Sequence, residues 1–563
     1  MVFKTLHWYI IRELLRIFVM TASALSTLAA LGGTFRPLTK QGVEIGQLMT
    51  IMMYMMPAML AYTIPMAALF AAVLVYWRLS TDNELTACRA SGISFVAIVM
   101  PALILGLVVA SVDLVFVNYV VPIFLEKTER AIISDIGSLL VTQVGRQENM
   151  KFRDFVIYAD SAQERDSGSP NSVVVVLQGV AATKLKNGKP AQIIIAPEAV
   201  ATITTSDSPD TEAEISFKLD RASAFDPRSF KRASFTVDSL FGGEKIPIPS
   251  TLKSKPKFLN HTKLSEYQHD PTNFEPVKKI IDQMATIYQY QSIGTQLYDR
   301  WKASSGGGQK PLIFQVPGNS ADSLDDLYIY SPGAALDNEQ QLVFSGAPGK
   351  PVRIDEYSHP PAGEKKLLYT YTCGEAALTL APDEFSASGL AISLQLKNNV
   401  GSVDHVRQIP GFSGASKTIA GVVLPASIAP APVPPPLDLL RIAAASTSPS
   451  MQSRNIDARK EITRLIHTIQ SELHSRGSFS VSCLTLVLLG AALGILLRGK
   501  NPLAVFVVGF VPAIFLVLLI TAGRQMAEGL SNRNVPIGIT LIWMGNAIIL
   551  ALIIGVYSKL LRQ

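Results

Sequence analysis

Six stretches of this chain can cross a bilayer, and they lie in two groups of three at its two ends. A hydrocarbon core needs roughly 20 apolar residues in a helix. Residues 17–35, 45–77, 477–497, 501–523 and 534–558 carry no charge at all, and 90–125 is broken only by Asp113. In lipid the backbone must satisfy its own hydrogen bonds, so each window has to be helical. Composition agrees: 48% of residues are hydrophobic and 17% charged, where a soluble domain carries about 25% charged. Mean hydropathy is +0.29. The first window lacks a small-residue cleavage site and further windows follow it, so it reads as a span and not as a cleaved signal.

Lys and Arg in the short loops set the orientation. One side holds Lys4, Arg12, Arg16, Arg78, Arg89, Arg498, Lys500, Lys559 and Arg562; the other holds Arg36, Lys40, Arg524 and Arg533. Nine against four predicts both termini in the cytoplasm and the long middle segment outside. The resulting division is 1–122 for the first three spans, 123–478 for the outer domain and 479–563 for the last three. The net charge of +6 then reads as flanking charge. No arginine-rich stripe or aromatic platform points to nucleic acid. Cys88, Cys373 and Cys483 fall in three different places, so no intrachain disulfide is expected.

Polar and bent positions within the spans carry two readings each. Asp113 is costly at mid-membrane and should face protein or water; it is either functional or hydrogen-bonded to a neighbour such as Asn118. Pro57, Pro65, Pro101 and Pro512 each remove a backbone donor, which serves either packing or a cavity.

From Met150 the pattern turns to period two. Residues 152–159, 172–178, 192–196, 200–206 and 214–219 read as strands, which predicts a β-rich, jelly-roll-like or sandwich domain over about 140–250. A helical insertion follows at about 276–304, a Ser/Gly linker at 304–309 and further β sequence at about 320–400. Residues 411–450, rich in Ala, Pro and Ser, read as a semi-rigid linker whose deletion would spare folding. A helix over about 456–476 carries an apolar stripe into the fourth span. His467 and His474 sit seven apart on it, which does not suit a metal pair, and they read as surface residues.

Familiar chemistry is missing. Gly-Lys pairs occur at 188–189, 349–350 and 499–500 without the spacing of a phosphate-cradling loop. No H-E-x-x-H, paired C-x-x-C or G-x-S-x-G is present. No catalytic residue, metal or cofactor is expected.

The informative segment is Arg78 to Ser94, between the second and third spans. Ser80 or Thr81 can cap a helix, Asn83 and Glu84 fall in its first turn, and Gly92 would end it. The prediction is a short helix over about 79–92 on the cytoplasmic face, displaying Asp82, Glu84 and Arg89. It could pass force from a soluble partner, or it could be a connection with solvated charges.

Arg78, Leu79, Ser80, Asp82, Asn83, Glu84, Leu85, Ala87, Arg89, Ala90, Gly92, Ile93 and Ser94 together resemble the coupling helix of the LptF/LptG (YjgP/YjgQ) permeases. Residues 9–15, Pro57 and Pro65, the group Asn118, Val121 and Pro122, and residues 472–476 are similar to other stretches of that family, so that the likeness covers about 1–210 and 456–563. Members typically have a shorter middle domain, and about 220–450 has no counterpart.

The resemblance implies a polytopic α-helical membrane protein with six spans, three plus three, and a periplasmic β domain between the third and fourth. It implies the permease of an ABC-type exporter of lipopolysaccharide, or a similar large glycolipid, in the inner membrane of a Gram-negative-type bacterium. Implied partners are an LptB-like ATPase dimer, a sister permease (or the chain itself) and an LptC/LptA-like bridge. Asp82, Asn83, Glu84, Leu85, Arg89 and Gly92 would form the ATPase contact. Arg36, Lys40 and Arg524 would suit lipid phosphates, or serve as interfacial anchors. The competing reading is a membrane-anchored periplasmic scaffold or enzyme working through the expanded middle.

Overall fold

The computed structural model describes residues 2–41, 45–134, 141, 144, 150–152, 155–166, 172–186, 189–205, 213–225, 237–239, 246–248, 255–304, 311–317, 324–358, 365–382, 390–425 and 428–562. Among the described residues six helices are long and apolar enough to cross a membrane: Thr5–Gly32, Met52–Thr81, Phe95–Thr128, Pro449–Leu496, Val507–Ala527 and Asn534–Leu560. The chain divides into two compact units, one made of Met1–Pro271 with Ile462–Gln563, the other of Thr272–Glu461.

In the first unit the spans pack through small residues. A Cβ on Gly494 of the fourth span would lie 2.7 Å from the Val73 carbonyl of the second. One on Gly523 of the fifth would lie 2.6 Å from the Gly538 carbonyl of the sixth. Only glycine lets these backbones approach so closely, the usual device where lipid offers no hydrophobic drive between helices. Pro57, Pro65, Pro101 and Pro512 sit inside helices that continue through them. The third span holds a π-turn at Phe116–Val120, after which Val121–Ser134 carries the helix on.

The β part of this unit is an eight-stranded antiparallel sheet. Its centre is three long strands in sequence order, Ser172–Lys186, Lys189–Thr205 and Ala213–Phe225. Val175, Leu177, Ala199, Ala201, Ile203, Ile215 and Phe217 fill its core. Phe152 and Phe155, expected in one strand, pair with each other across a hairpin of Met150–Phe152 with Phe155–Tyr158. The alternation is the same on both arms, so period two alone could not show the reversal.

The second unit holds a separate nine-stranded antiparallel sheet. The helix Glu275–Ser304 packs on it through Ile293 and Leu297, together with Phe314, Leu327, Phe344 and Leu394. The middle segment therefore contains two sheets in two units. The expected linker at 411–450 is also corrected. Ile409–Ala420 is an edge strand paired with Leu390–Asp404, and Val422 and Ile428 are buried in the core. Pro436 opens the helix Pro436–Ala445, at the position where its missing N–H costs nothing. Deleting 411–450 would strip an edge from a folded sheet. The Ser/Gly stretch after Ser304 lies outside the described residues. The fourth span and the helix before it are one 48-residue helix, Pro449–Leu496.

Candidate functional site

At one end of the spans the second helix runs to Thr81, so Ser80 and Thr81 form its last turn and do not cap the next helix. The cap position belongs to Asn83, held at φ 59°, ψ 12° without a side-chain cap bond. Asn is among the few residues that tolerate this left-handed conformation, and it turns the chain at once into the helix Glu84–Ala90. Gly92, at φ +79°, ends that helix; its N–H donates to the Arg89 carbonyl at 3.0 Å. Ser94 then caps the third span, accepting from Ala97 N–H at 3.3 Å.

This seven-residue helix has one face on the protein and one in the open. Leu85 is buried, and Cys88 and Ile93 pack with it against Ile10, Leu14, Leu79 and Ile98. Asp82, Asn83, Thr86 and Arg89 are exposed and Glu84 is half-buried. The platform beneath is tied at several points. Arg78 donates to Glu13 at 2.7 Å and to the Tyr9 hydroxyl at 3.0 Å. Tyr76 donates to the Ile98 carbonyl at 2.9 Å, and Trp77 to the Lys500 carbonyl at 3.1 Å. First, second, third and fourth spans thus meet beneath a short helix on which Asp82 and Arg89 are exposed.

The opposite end is organised around Arg476, only 4% exposed. Its guanidinium donates to Glu472 at 3.3 Å, to Asn118 Oδ1 at 3.3 Å, and to the backbone carbonyls of Lys257 and Leu259 at 3.1 and 2.9 Å. Asn118 lies in the π-turn and donates its own N–H to the Leu114 carbonyl at 2.8 Å. Arg524 sits 3.1 Å from Glu472 as an ion pair outside hydrogen-bond geometry, and donates to Glu528 at 2.9 Å. Two carboxylates of the chain, Glu472 and Glu528, thus pair with the Arg524 guanidinium. A cavity of about 50 Å³ beside these groups is lined by Tyr62, Lys257 and Phe479 among others. Burial lowers the pKa of the Lys257 ammonium, and the positive charge of Arg524 adds to the effect.

Asp113 is fully buried and accepts from Ser480 of the fourth span at 2.9 Å. Asn118 is not its partner: its amide donates to the Leu114 carbonyl and accepts from Arg476. His467 is also corrected. It is buried, with Nδ1 2.7 Å from the Gly529 carbonyl. His474 is exposed and accepts from Trp543 Nε1 at 3.3 Å. Arg36 and Lys40 lie in the first helix, and their side chains fall outside the described residues. Sequence reasoning gave Glu472 and Arg476 no role. The available signal was an acid and a base four apart on one helix, next to the start of a charge-free window. Asn546, which donates to the Ser478 carbonyl at 2.9 Å and accepts from Thr485 at 3.0 Å, had no such signal. Among the described residues no cluster of His, Cys, Asp and Glu could hold a metal ion.

One family model, that of the lipopolysaccharide export system permease LptF/LptG, matches residues 8–269 and 425–559. No curated protein matches this chain. The unmatched stretch between the two segments lies almost wholly in the second unit and contains all of its nine-stranded sheet.

Proposed function

The chain belongs to the LptF/LptG family of lipopolysaccharide export permeases, and on that premise we propose that it is one permease subunit of an exporter that lifts lipopolysaccharide, or a similar large glycolipid, out of the inner membrane. Permeases of this family are transport subunits and not enzymes. Membership implies an export complex with an ABC ATPase and a partner permease. The finer assignment is that both termini and the helix Glu84–Ala90 face the cytoplasm, while the β units face the periplasm. An LptB-like ATPase dimer grips Asp82, Asn83, Glu84 and Arg89, with Leu85 and Gly92 fixing the helix that carries them. A sister permease, or a second copy of this chain, closes the lipid cavity. An LptC/LptA-like bridge receives the lipid beyond the β units.

One observation carries this reading: a short charged helix, exposed on its outer face, sits on a platform where four spans are tied together. Motion imposed on that helix reaches all four. The test is purification in mild detergent with and without Glu84→Arg. An ATPase and a second permease should accompany the wild type, and the ATPase should be lost from the variant. No ATPase in either sample would move attention to the second unit as the working part.

Arg36 and Lys40 are proposed to meet the phosphates of the lipid. Replacing both with Ala should weaken photo-crosslinking to lipopolysaccharide, because two charge-assisted contacts are lost. Equal crosslinking would leave them as interfacial anchors.

A further inference from the structure

Two cavities in the first unit share a wall and differ in character. The outer one, about 410 Å³, lies beside the coupling helix, between the ends of the second, third, fourth and sixth spans. Arg89 and Arg498 line it, and no carboxylate does. Both arginines are exposed, and among the described residues neither has an ion-pair partner. The inner one, about 210 Å³, is lined by Val96, Val99, Met100, Leu103, Leu488 and Ile553, with Phe95 and Tyr557 at its end. Phe95 lines both cavities, and it meets Tyr557 edge to face with ring centroids 5.8 Å apart. From Phe95 to Leu103 the third span rises about 12 Å, so the apolar groove runs inward from the cationic mouth.

We propose that this pair of cavities binds one anionic phospholipid, its phosphate between Arg89 and Arg498 and one acyl chain along the groove. Two guanidinium groups without a counter-ion fit a phosphate. An apolar channel directly beneath fits a hydrocarbon chain and excludes a free anion or an acidic peptide as the full occupant. Basic pockets between helices at the cytoplasmic side favour such head groups. The lipid would share Arg89 with the proposed ATPase contact, so its presence would alter the surface on which the ATPase acts. The leaflet rests on the orientation proposed above, but the binding does not.

The test uses the full chain, purified with its partners and titrated with phosphatidylglycerol or phosphatidylcholine under native mass spectrometry. One phosphatidylglycerol should bind per chain, in strong preference to phosphatidylcholine. The pair Arg89→Ala with Arg498→Ala should weaken it about thirtyfold, at about 1 kcal/mol per basic residue and tenfold per 1.4 kcal/mol. Met100→Trp, which fills the groove and keeps both arginines, should weaken the lipid and leave sn-glycerol 3-phosphate unaffected. Unchanged phosphatidylglycerol binding in the double variant would overturn the proposal. So would sn-glycerol 3-phosphate competing as well as the lipid, since the groove would then hold nothing. Loss of the ATPase in Glu84→Arg with lipid retained separates this site from the coupling reading.

Discussion

The two ends of the helical part handle charge in opposite ways. At the coupling end Asp82 and Arg89 are exposed. At the other end Glu472 and Arg476 are buried, and Arg524 is paired with Glu472 and Glu528. A buried ion is tolerated only when its partners are in place, so the Arg476 group fixes a shape. An exposed charge contributes little to folding, so the coupling end keeps its charges for something outside the chain. The contrast separates residues that hold this protein from residues that serve a partner.

The largest effect should come from Arg476. Arg476→Ala leaves Glu472 without one of its two cations and frees the Lys257 and Leu259 carbonyls from their donor. Breaking a buried pair costs about 3–5 kcal/mol. Thermal unfolding in detergent should show a large drop, with Arg476→Lys intermediate because it keeps the charge but not the fork of donors. A melting temperature equal to wild type would erase the contrast between the ends.

Leu85 comes next, because it is the buried side of the coupling helix. Leu85→Ala should cost about 2 kcal/mol, the low end for a buried leucine, and should loosen the helix without changing any charge. Normal stability with normal ATPase retention would mean that the platform does not hold the helix.

The spans could be read from sequence because a charge-free window in lipid has only one solution. The family could be read because Asp82, Asn83, Glu84 and Gly92 each carry a backbone or charge requirement visible in the string. The second unit was legible element by element, its helix at about 276–304 and its β sequence at about 320–400 both lying where expected, but its existence as a separate sheet was not. Its strands alternate like those of the first, and nothing local says which sheet a strand joins. The 411–450 stretch misled through composition: Ala, Ser and Pro suit a linker, but Pro436 at a helix start and Val422 in a core have tertiary reasons. His467 is buried by Gly529, 62 residues further on, and no helical periodicity carries that information.

Glu339, in the second unit, extends the rule to a paired charge away from the spans. It accepts from Ser448 Oγ at 2.6 Å, from the Ser450 hydroxyl and from Ser450 N–H at 3.0 Å, at the start of the helix Pro449–Leu496. Burial pushes its pKa up, but these hydrogen bonds outweigh burial and hold it below its ordinary 4.5. The folded state therefore favours the ionised form. That stability is present above pH 4.5 and is lost as the pH falls through the lowered value. Glu339→Gln should cost about 1 kcal/mol at neutral pH, and the gap to wild type should close on acidification in a pH series of melts. A gap independent of pH would show that the carboxylate charge contributes nothing there.

Asp82 should show the smallest change in folding and gives the sharpest form of the contrast. It is exposed, and its backbone N–H, not its side chain, makes the turn bond to the Arg78 carbonyl at 2.9 Å. Asp82→Ala keeps that bond and should move stability by no more than about 0.5 kcal/mol. If the charge serves a partner, the same variant should hold less ATPase on purification while melting like the wild type. A variant that melts normally and keeps its full complement of ATPase would show that Asp82 is a solvated charge in a connection, and would leave Glu84 and Arg89 to make the contact. A variant that melts far below wild type would place Asp82 with Arg476, among the residues that hold the fold, and would end the division between the two ends.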